Sequence, residues 1–165
     1  MRKKQIVVIG NHNATEVQAS TAYSIGVYVA KKKFALICGG RGGVMESAAR
    51  GAVENGGLVI GILPDDTFAA ANQFCSIVLP TGIGYARNSM NVLAADLVIS
   101  IGGEKGTLTE LAYAWHYGKP IVACSFTGGW SEKLAGTRID NSREDIIKNA
   151  HSLKEVFQEL DILSQ

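Results

Sequence analysis

The amino-acid sequence predicts an α/β protein: a three-layer sandwich whose mostly parallel sheet of about six strands is flanked by helices. Short β-branched runs alternate along the chain with segments of helical period, the pattern of strand–helix–strand units. The strand runs are continuously apolar instead of alternating with polar residues, as expected of strands covered by helices on both faces. The length of 165 residues suits one domain, 1–165, and a domain of that size removes roughly 70% of its unfolded surface from water.

The strands fall at residues 6–9, 34–38, 58–63, 76–79, 97–101 and 121–123. Between the first two, Thr15-Glu16-Val17-Gln18 has the spacing of a capping box, and Ala22, Ile25 and Val29 recur at helical intervals, which predicts a helix over 15–32. A second helix opens at Gly43, presents Met45, Ala48, Ala49, Ala52 and Val53 as an apolar stripe, and stops at Asn55-Gly56-Gly57. A third covers about 85–95, with Arg87, Asn88 and Asn91 inside an arc of about 100° that reads as lining the ligand cleft, or alternatively as an ordinary solvated face, while Met90, Leu93 and Ala94 read as core. A fourth spans about 107–117 and ends at Gly118-Lys119-Pro120. Residues 125–150 are the least regular and read as surface loop with a short helix. Beyond them Ser152-Leu153-Lys154-Glu155 is a second capping box, ahead of Val156, Phe157 and Leu160. No internal repeat or low-complexity tract interrupts this order.

Sixteen Lys and Arg against fifteen Asp and Glu create no global field for nucleic acid or an anionic membrane, so any anion has to be held by local geometry. Cys38, Cys75 and Cys124 are odd in number, sit in apolar runs and form no C-x-x-C pair; they read as buried reduced thiols. The N-terminal Met1-Arg2-Lys3-Lys4 precedes only five apolar-leaning residues before Gly10, too few for a signal peptide, and no stretch approaches the roughly 20 apolar residues that span a bilayer. A cytoplasmic protein without a membrane partner is the expectation.

In an open α/β sheet the ligand lies beyond the carboxyl ends of the strands, and four loops there are unusual. They are Gly10-Asn11-His12-Asn13, Gly39-Gly40-Arg41-Gly42-Gly43, Pro80-Thr81-Gly82-Ile83-Gly84 and Gly102-Gly103-Glu104-Lys105-Gly106-Thr107. None fits the dinucleotide G-x-G-x-x-G pattern, since Met45 and Arg87 stand where its third glycine would be, and Walker A fails because Thr107 follows Gly106. The last loop is the strongest signal. Its glycines lead into a helix whose first N–H groups are unpaired and carry roughly half a positive charge; Thr107 adds a hydroxyl and Lys105 charge at the rim. The alternative is a tight strand-to-helix turn without a ligand.

Taking Leu108, Leu111, Ala112 and Trp115 as the buried stripe of the fourth helix, Glu110 points away from its centre, beside the anion site. It has two readings: a group that contacts a non-phosphate part of the ligand, such as a sugar hydroxyl, or the far end of a capping box Thr107-x-x-Glu110. His12 and His116 have no partner at metal-ligand spacing, and no Ser or Cys sits in a nucleophile arrangement.

Three stretches, Gly39-Gly40-Arg41-Gly42-Gly43-Val44-Met45-Glu46, Gly84-Tyr85-Ala86-Arg87-Asn88 and Gly102-Gly103-Glu104-Lys105-Gly106-Thr107-Leu108-Thr109-Glu110, carry a resemblance over nearly the whole chain. It resembles the Lonely-Guy (LOG)-like superfamily of Rossmann-type proteins, and within it the branch of the molybdenum cofactor carrier protein. The third stretch meets G-G-x-x-G-T-x-x-E at every fixed position. The resemblance implies a Rossmann-like sandwich and ligand or phosphate contacts at Gly40, Arg41, Gly42, Gly43, Gly84, Asn88, Gly102, Gly103, Gly106 and Thr107. For an enzyme of LOG type it implies cleavage of the N-glycosidic bond of a nucleoside 5′-monophosphate, with Arg87 orienting the ligand and Glu110 holding the ribose and stabilising an oxocarbenium-like transition state. LOG enzymes usually carry Pro before the glycine pair and Lys after the Arg; Ile101 and Asn88 stand there, as is typical of the carrier-like branch. For a carrier, the same cleft binds a phosphate-bearing pterin as cargo, with no cofactor required and no bond broken. The resemblance also implies a homo-oligomer, dimer or tetramer. A more distant similarity to DNA-processing proteins of this fold raises nucleic acid as a partner, which the balanced charge and missing basic stripe argue against.

Overall fold

The computed structural model describes residues 2–163; Met1, Ser164 and Gln165 of the 1–165 reading lie outside the described residues. Among the described residues, seven strands form one all-parallel sheet: β1 (Gln5–Gly10), β2 (Ala35–Cys38), β3 (Leu58–Leu63), β4 (Ile77–Pro80), β5 (Leu97–Ile101), β6 (Ile121–Cys124) and β7 (Lys148–Ala150). Their order is β4-β3-β2-β1-β5-β6-β7. Successive strand residues feed opposite faces: Ile6 and Val8 enter one apolar cluster and Val7 and Ile9 the other, as Leu36 and Cys38 oppose Ile37. The unbroken apolar runs are thus two interleaved faces, each needing cover.

The helices α1 (Glu16–Lys31), α2 (Val44–Val53) and α6 (Leu153–Ile162) cover one face, and α3 (Arg87–Leu93), α4 (Lys105–His116) and α5 (Gly129–Leu134) the other. The predicted box at the start of α1 is complete: the Thr15 hydroxyl accepts from the Gln18 N–H at 3.3 Å, and the Thr15 N–H donates to Gln18 Oε1 at 3.1 Å. At α6 Ser152 Oγ accepts from the Glu155 N–H, while Glu155 reaches past the cap residue to the His151 N–H.

The sheet has seven strands where the sequence suggests about six. β7 lies in the stretch that reads as loop because Lys148-Asn149-Ala150 is short and polar; its strand character comes from pairing along β6, with the preceding Ile147 fully buried. The apolar side of α3 departs from expectation. Arg87, Asn88 and Asn91 are buried, while Met90 and Leu93 are 44% and 54% exposed. Polar contacts with α4 replace apolar packing on the inner side: Asn88 Nδ2 donates to Thr109 Oγ1 at 2.9 Å and Asn91 Nδ2 to Glu110 Oε1 at 3.0 Å. Before α3, a 3₁₀ turn occupies Gly84–Ala86.

Candidate functional site

β1 and β5 are sheet neighbours although the three strands of the other half of the sheet, β2, β3 and β4, lie between them in sequence. They mark the point where strand order reverses, and connections diverging there leave a crevice beyond the strand ends. A cleft of about 350 Å³ opens at that place, lined by the loop after β1, the first turn of α4 and the start of α3.

The loop after β5 is held rigidly from behind. Gly102 and Gly103 take φ of +60° and +113°, which only glycine adopts without strain. Their N–H groups are engaged, Gly102 donating to Thr127 Oγ1 at 2.7 Å and Gly103 to Asn11 Oδ1 at 2.6 Å. Their carbonyls accept from the N–H groups of Ser131 and Trp130 of α5. Both glycines therefore shape the turn and do not face the cleft. The donors that do are in the first turn of α4, where Lys105, Gly106 and Thr107 line the cleft and the helix supplies no acceptor for their N–H groups.

α4 begins at Lys105 with Glu104 as its N-cap residue, and no side chain caps it. This excludes the capping-box reading of Thr107 and Glu110, because Thr107 is already the third helical residue. The buried face of α4 is Thr107, Glu110, Leu111, Ala114 and Trp115, so Glu110 lies on that face, not opposite it. Burial pushes its carboxyl up to about 7, with the Asn91 hydrogen bond and the Arg87 charge acting in the opposite sense.

Arg87 is only 6% exposed, and its Nε lacks a hydrogen-bond partner; so does Asn91 Oδ1. Burial pulls the Arg87 guanidinium below its ordinary value, against the opposing attraction of Glu110, yet a guanidinium stays charged in proteins. It rests on the backbone of Gly39, where a Cβ would come within 2.2 Å of Nη1. It is a buried cation with an unused N–H at the wall of the cleft, whereas buried polar groups are ordinarily hydrogen-bonded.

Arg41 lines the cleft at its rim, paired with Asp65 at 2.7 Å. Gly40, Gly42, Gly43 and Gly84 do not line it. Gly40 and Gly43 bend the loop at φ of +74° and +67°, and Gly43 lies so close to the Asn11 and His12 carbonyls that a Cβ would be 2.1–2.3 Å from them. Asn88 lines the cleft while bracing α3 on α4. Beyond these, the cleft takes Asn11, His12, Asn13, Met45 and Tyr85. Asn11 is the member whose role the sequence does not disclose: its side chain holds Gly103, and its carbonyl accepts the Val44 N–H that opens α2, at 2.9 Å. The available signal was its place directly after β1, one strand from the Gly102 loop.

No described helix is long and apolar enough to cross a membrane, and among the described residues no three His, Cys, Asp or Glu side chains gather as a metal site.

The SLOG cluster4 family model matches residues 3–157. An uncharacterized protein of Archaeoglobus fulgidus is 42% identical over 123 residues, 74% of this chain and 81% of its own. Among solved structures, the molybdenum cofactor binding protein from the phototrophic bacterium Rippkaea orientalis superposes with a TM-score of 0.87 at 33% identity, over 100% of this chain and 99% of that one. The molybdenum cofactor carrier protein from Chlamydomonas reinhardtii gives 0.81 at 29% identity, over 98% of each.

Proposed function

The chain belongs to the SLOG cluster4 family, and from that premise we propose that it binds a phosphate-bearing small ligand in the cleft between β1 and β5 and carries it without breaking a bond. The observation that carries this reading is the buried Arg87 with its unpartnered Nε, facing a cleft whose floor is the N-terminus of α4. The phosphate sits over the N–H groups of Lys105, Gly106 and Thr107, where the helix dipole favours an anion. Thr107 adds its hydroxyl, Lys105 and Arg41 add charge at the rim, and Arg87 takes an oxygen from the side. The remainder of the ligand, a nucleoside or a molybdenum-cofactor-type pterin, lies against Asn11, His12 and Tyr85. The likeness to a cofactor-binding and a cofactor-carrying protein over nearly the full chain supports the pterin as cargo. Three free cysteines accord with a reducing, cytoplasmic setting.

A second reading has one observation in its favour: Arg87 and Glu110 reach the same cleft and influence each other's ionisation. That is the pairing needed for a nucleoside 5′-monophosphate phosphoribohydrolase. Against it, a Glu110 carboxyl titrating at about 7 and bonded to Asn91 is only partly ionised at neutral pH, whereas stabilising a cationic transition state takes the carboxylate.

The two part on one experiment. The protein is titrated calorimetrically with AMP and inorganic phosphate, then incubated with a panel of nucleoside 5′-monophosphates while free base is followed by chromatography. Binding lost in Arg87→Ala, without base release, is expected. Base release abolished by Glu110→Ala would overturn the carrier reading, and failure of every phosphate-bearing probe to bind would overturn the site.

A further inference from the structure

Outside the cleft walls, the group of side chains with unassigned chemistry is a pair of thiols beneath them. Cys38 closes β2 and is fully buried. Its register partner on β3 is Gly61, and partners in adjacent parallel strands project to the same face. A Cβ on Gly61 would stand 2.6 Å from the Cys75 sulfur and 3.4 Å from its Cβ, so the Cys75 side chain occupies the space that this glycine leaves empty, beside Cys38. The two thiols act on each other: that contact, and after it burial, pushes Cys38 up, while the same contact holds Cys75 down against its own burial. Cys75 is partly exposed, Cys38 is not.

We propose that Cys38 and Cys75 are a redox modification site: a reversible intrachain disulfide under the cleft, made and broken by exchange with a low-molecular-weight disulfide. Access fixes the order of steps, since only Cys75 is partly exposed. The Cys75 thiolate attacks one sulfur of the small disulfide, forming a mixed disulfide and expelling one small thiolate. Cys38 then loses its proton and attacks the Cys75 sulfur, expelling the second. Two protein thiols are oxidised and one small disulfide is reduced to two thiols. Excess small thiol reverses both steps.

The bridge would act on the cleft through the loop after β2. Residues 72–75 already clasp the loop after β2: the Asn72 N–H donates to the Gly40 carbonyl at 2.8 Å, Asn72 Nδ2 to the Arg41 carbonyl at 2.9 Å, and Cys75 Sγ to Asn72 Oδ1 at 3.6 Å. A disulfide makes that clasp covalent directly below Gly39, on which Arg87 rests. The proposal is independent of which ligand the cleft holds.

The test uses the folded, full-length protein, reduced and freed of reductant, then exposed to oxidised glutathione and read by intact mass, thiol titration after denaturing quench, and peptide mapping. Expected are a mass lower by about 2 Da with no retained glutathione, a fall from three titratable thiols to one, Cys124, a Cys38–Cys75 linked peptide, and reversal by dithiothreitol. Cys38→Ser should stop at a stable glutathione adduct on Cys75, and Cys75→Ser should leave both remaining thiols unreacted. Three surviving thiols in the wild type, a wild-type adduct that never resolves, or a bridge formed only under denaturing conditions would overturn the proposal. The wild-type readouts need no substitution, so they decide even if a variant does not fold.

Discussion

Glu110 ties burial, charge and ligand together at one carboxyl. Its folded value of about 7 lies above the ordinary 4.5, so between these pH values the native chain keeps a proton that the unfolded chain has released. The group is neutral toward stability below about 4.5 and increasingly destabilising up to about 7, by an amount on the order of 3 kcal/mol above that. Glu110→Gln should therefore match the wild type near pH 4.5 and exceed it at pH 8 in urea unfolding; parallel pH profiles would refute the assignment. The same titration bears on binding. A phosphate probe should lose affinity in the wild type as pH rises through about 7 and a second negative charge forms nearby. Glu110→Gln, titrated alongside, removes the ionisation of the ligand from the comparison. A hydrolase would show the opposite slope, with turnover rising through that window. Asn11 acts by position alone. Asn11→Ala leaves the Gly103 N–H without its acceptor, and unfolding experiments should find a loss of about 1–3 kcal/mol, with weaker probe binding as the Gly102 turn loosens.

At the scale of elements, what could be read from sequence was whatever is decided locally. The α1 cap was legible because Thr15 and Gln18 satisfy each other within one turn. The start of α4 was not: Gly106 reads as loop, and its helical state depends on Gly102 and Gly103 being pinned by Thr127 and Asn11, 25 and 92 residues distant. The inward face of α3 was legible only in part: the arc of Arg87, Asn88 and Asn91 could be set at a cleft, but that Asn88 and Asn91 are buried there depends on Thr109 and Glu110 opposite them. The contact between α1 and α2 shows the converse, small residues whose purpose appears only in the packing. A Cβ on Gly26 would lie 2.1 Å from the Ala48 carbonyl oxygen, and one on Gly51 equally close to that of Tyr23. Helix propensity alone favours Ala over Gly by about 1 kcal/mol, yet Gly26→Ala should destabilise by about 1–3 kcal/mol because the helices must separate. A rise in the unfolding midpoint would show that they are free to move apart.

For the whole molecule, the alternation of runs fixed the parallel sandwich, and the reversal of strand order between β1 and β5 fixed where a ligand could enter. The surface was less legible, because it depends on which way α3 turns. With its polar side inward, α3 and the turn before it present Ile83, Tyr85, Met90 and Leu93 to water, 44–78% exposed and without an outward charge among them. We expect these exposed apolar side chains, two on α3 and two in the segment before it, to form a contact surface, since an uncharged face on a chain of net charge +1 meets its own copy without electrostatic repulsion, as a two-fold pair requires. The expected state is therefore a homodimer, or a tetramer built from it, joined through α3. Light scattering after size exclusion should give at least twice the chain mass for the wild type. The double variant Met90→Glu/Leu93→Glu should run as a monomer with unchanged circular dichroism, since both side chains already face solvent in the single chain. Tyr85 belongs to this face and to the cleft wall, so the monomeric variant should also bind phosphate probes more weakly. A wild type that is monomeric at micromolar concentration would refute the pairing, and a variant that stays dimeric would move the interface away from α3.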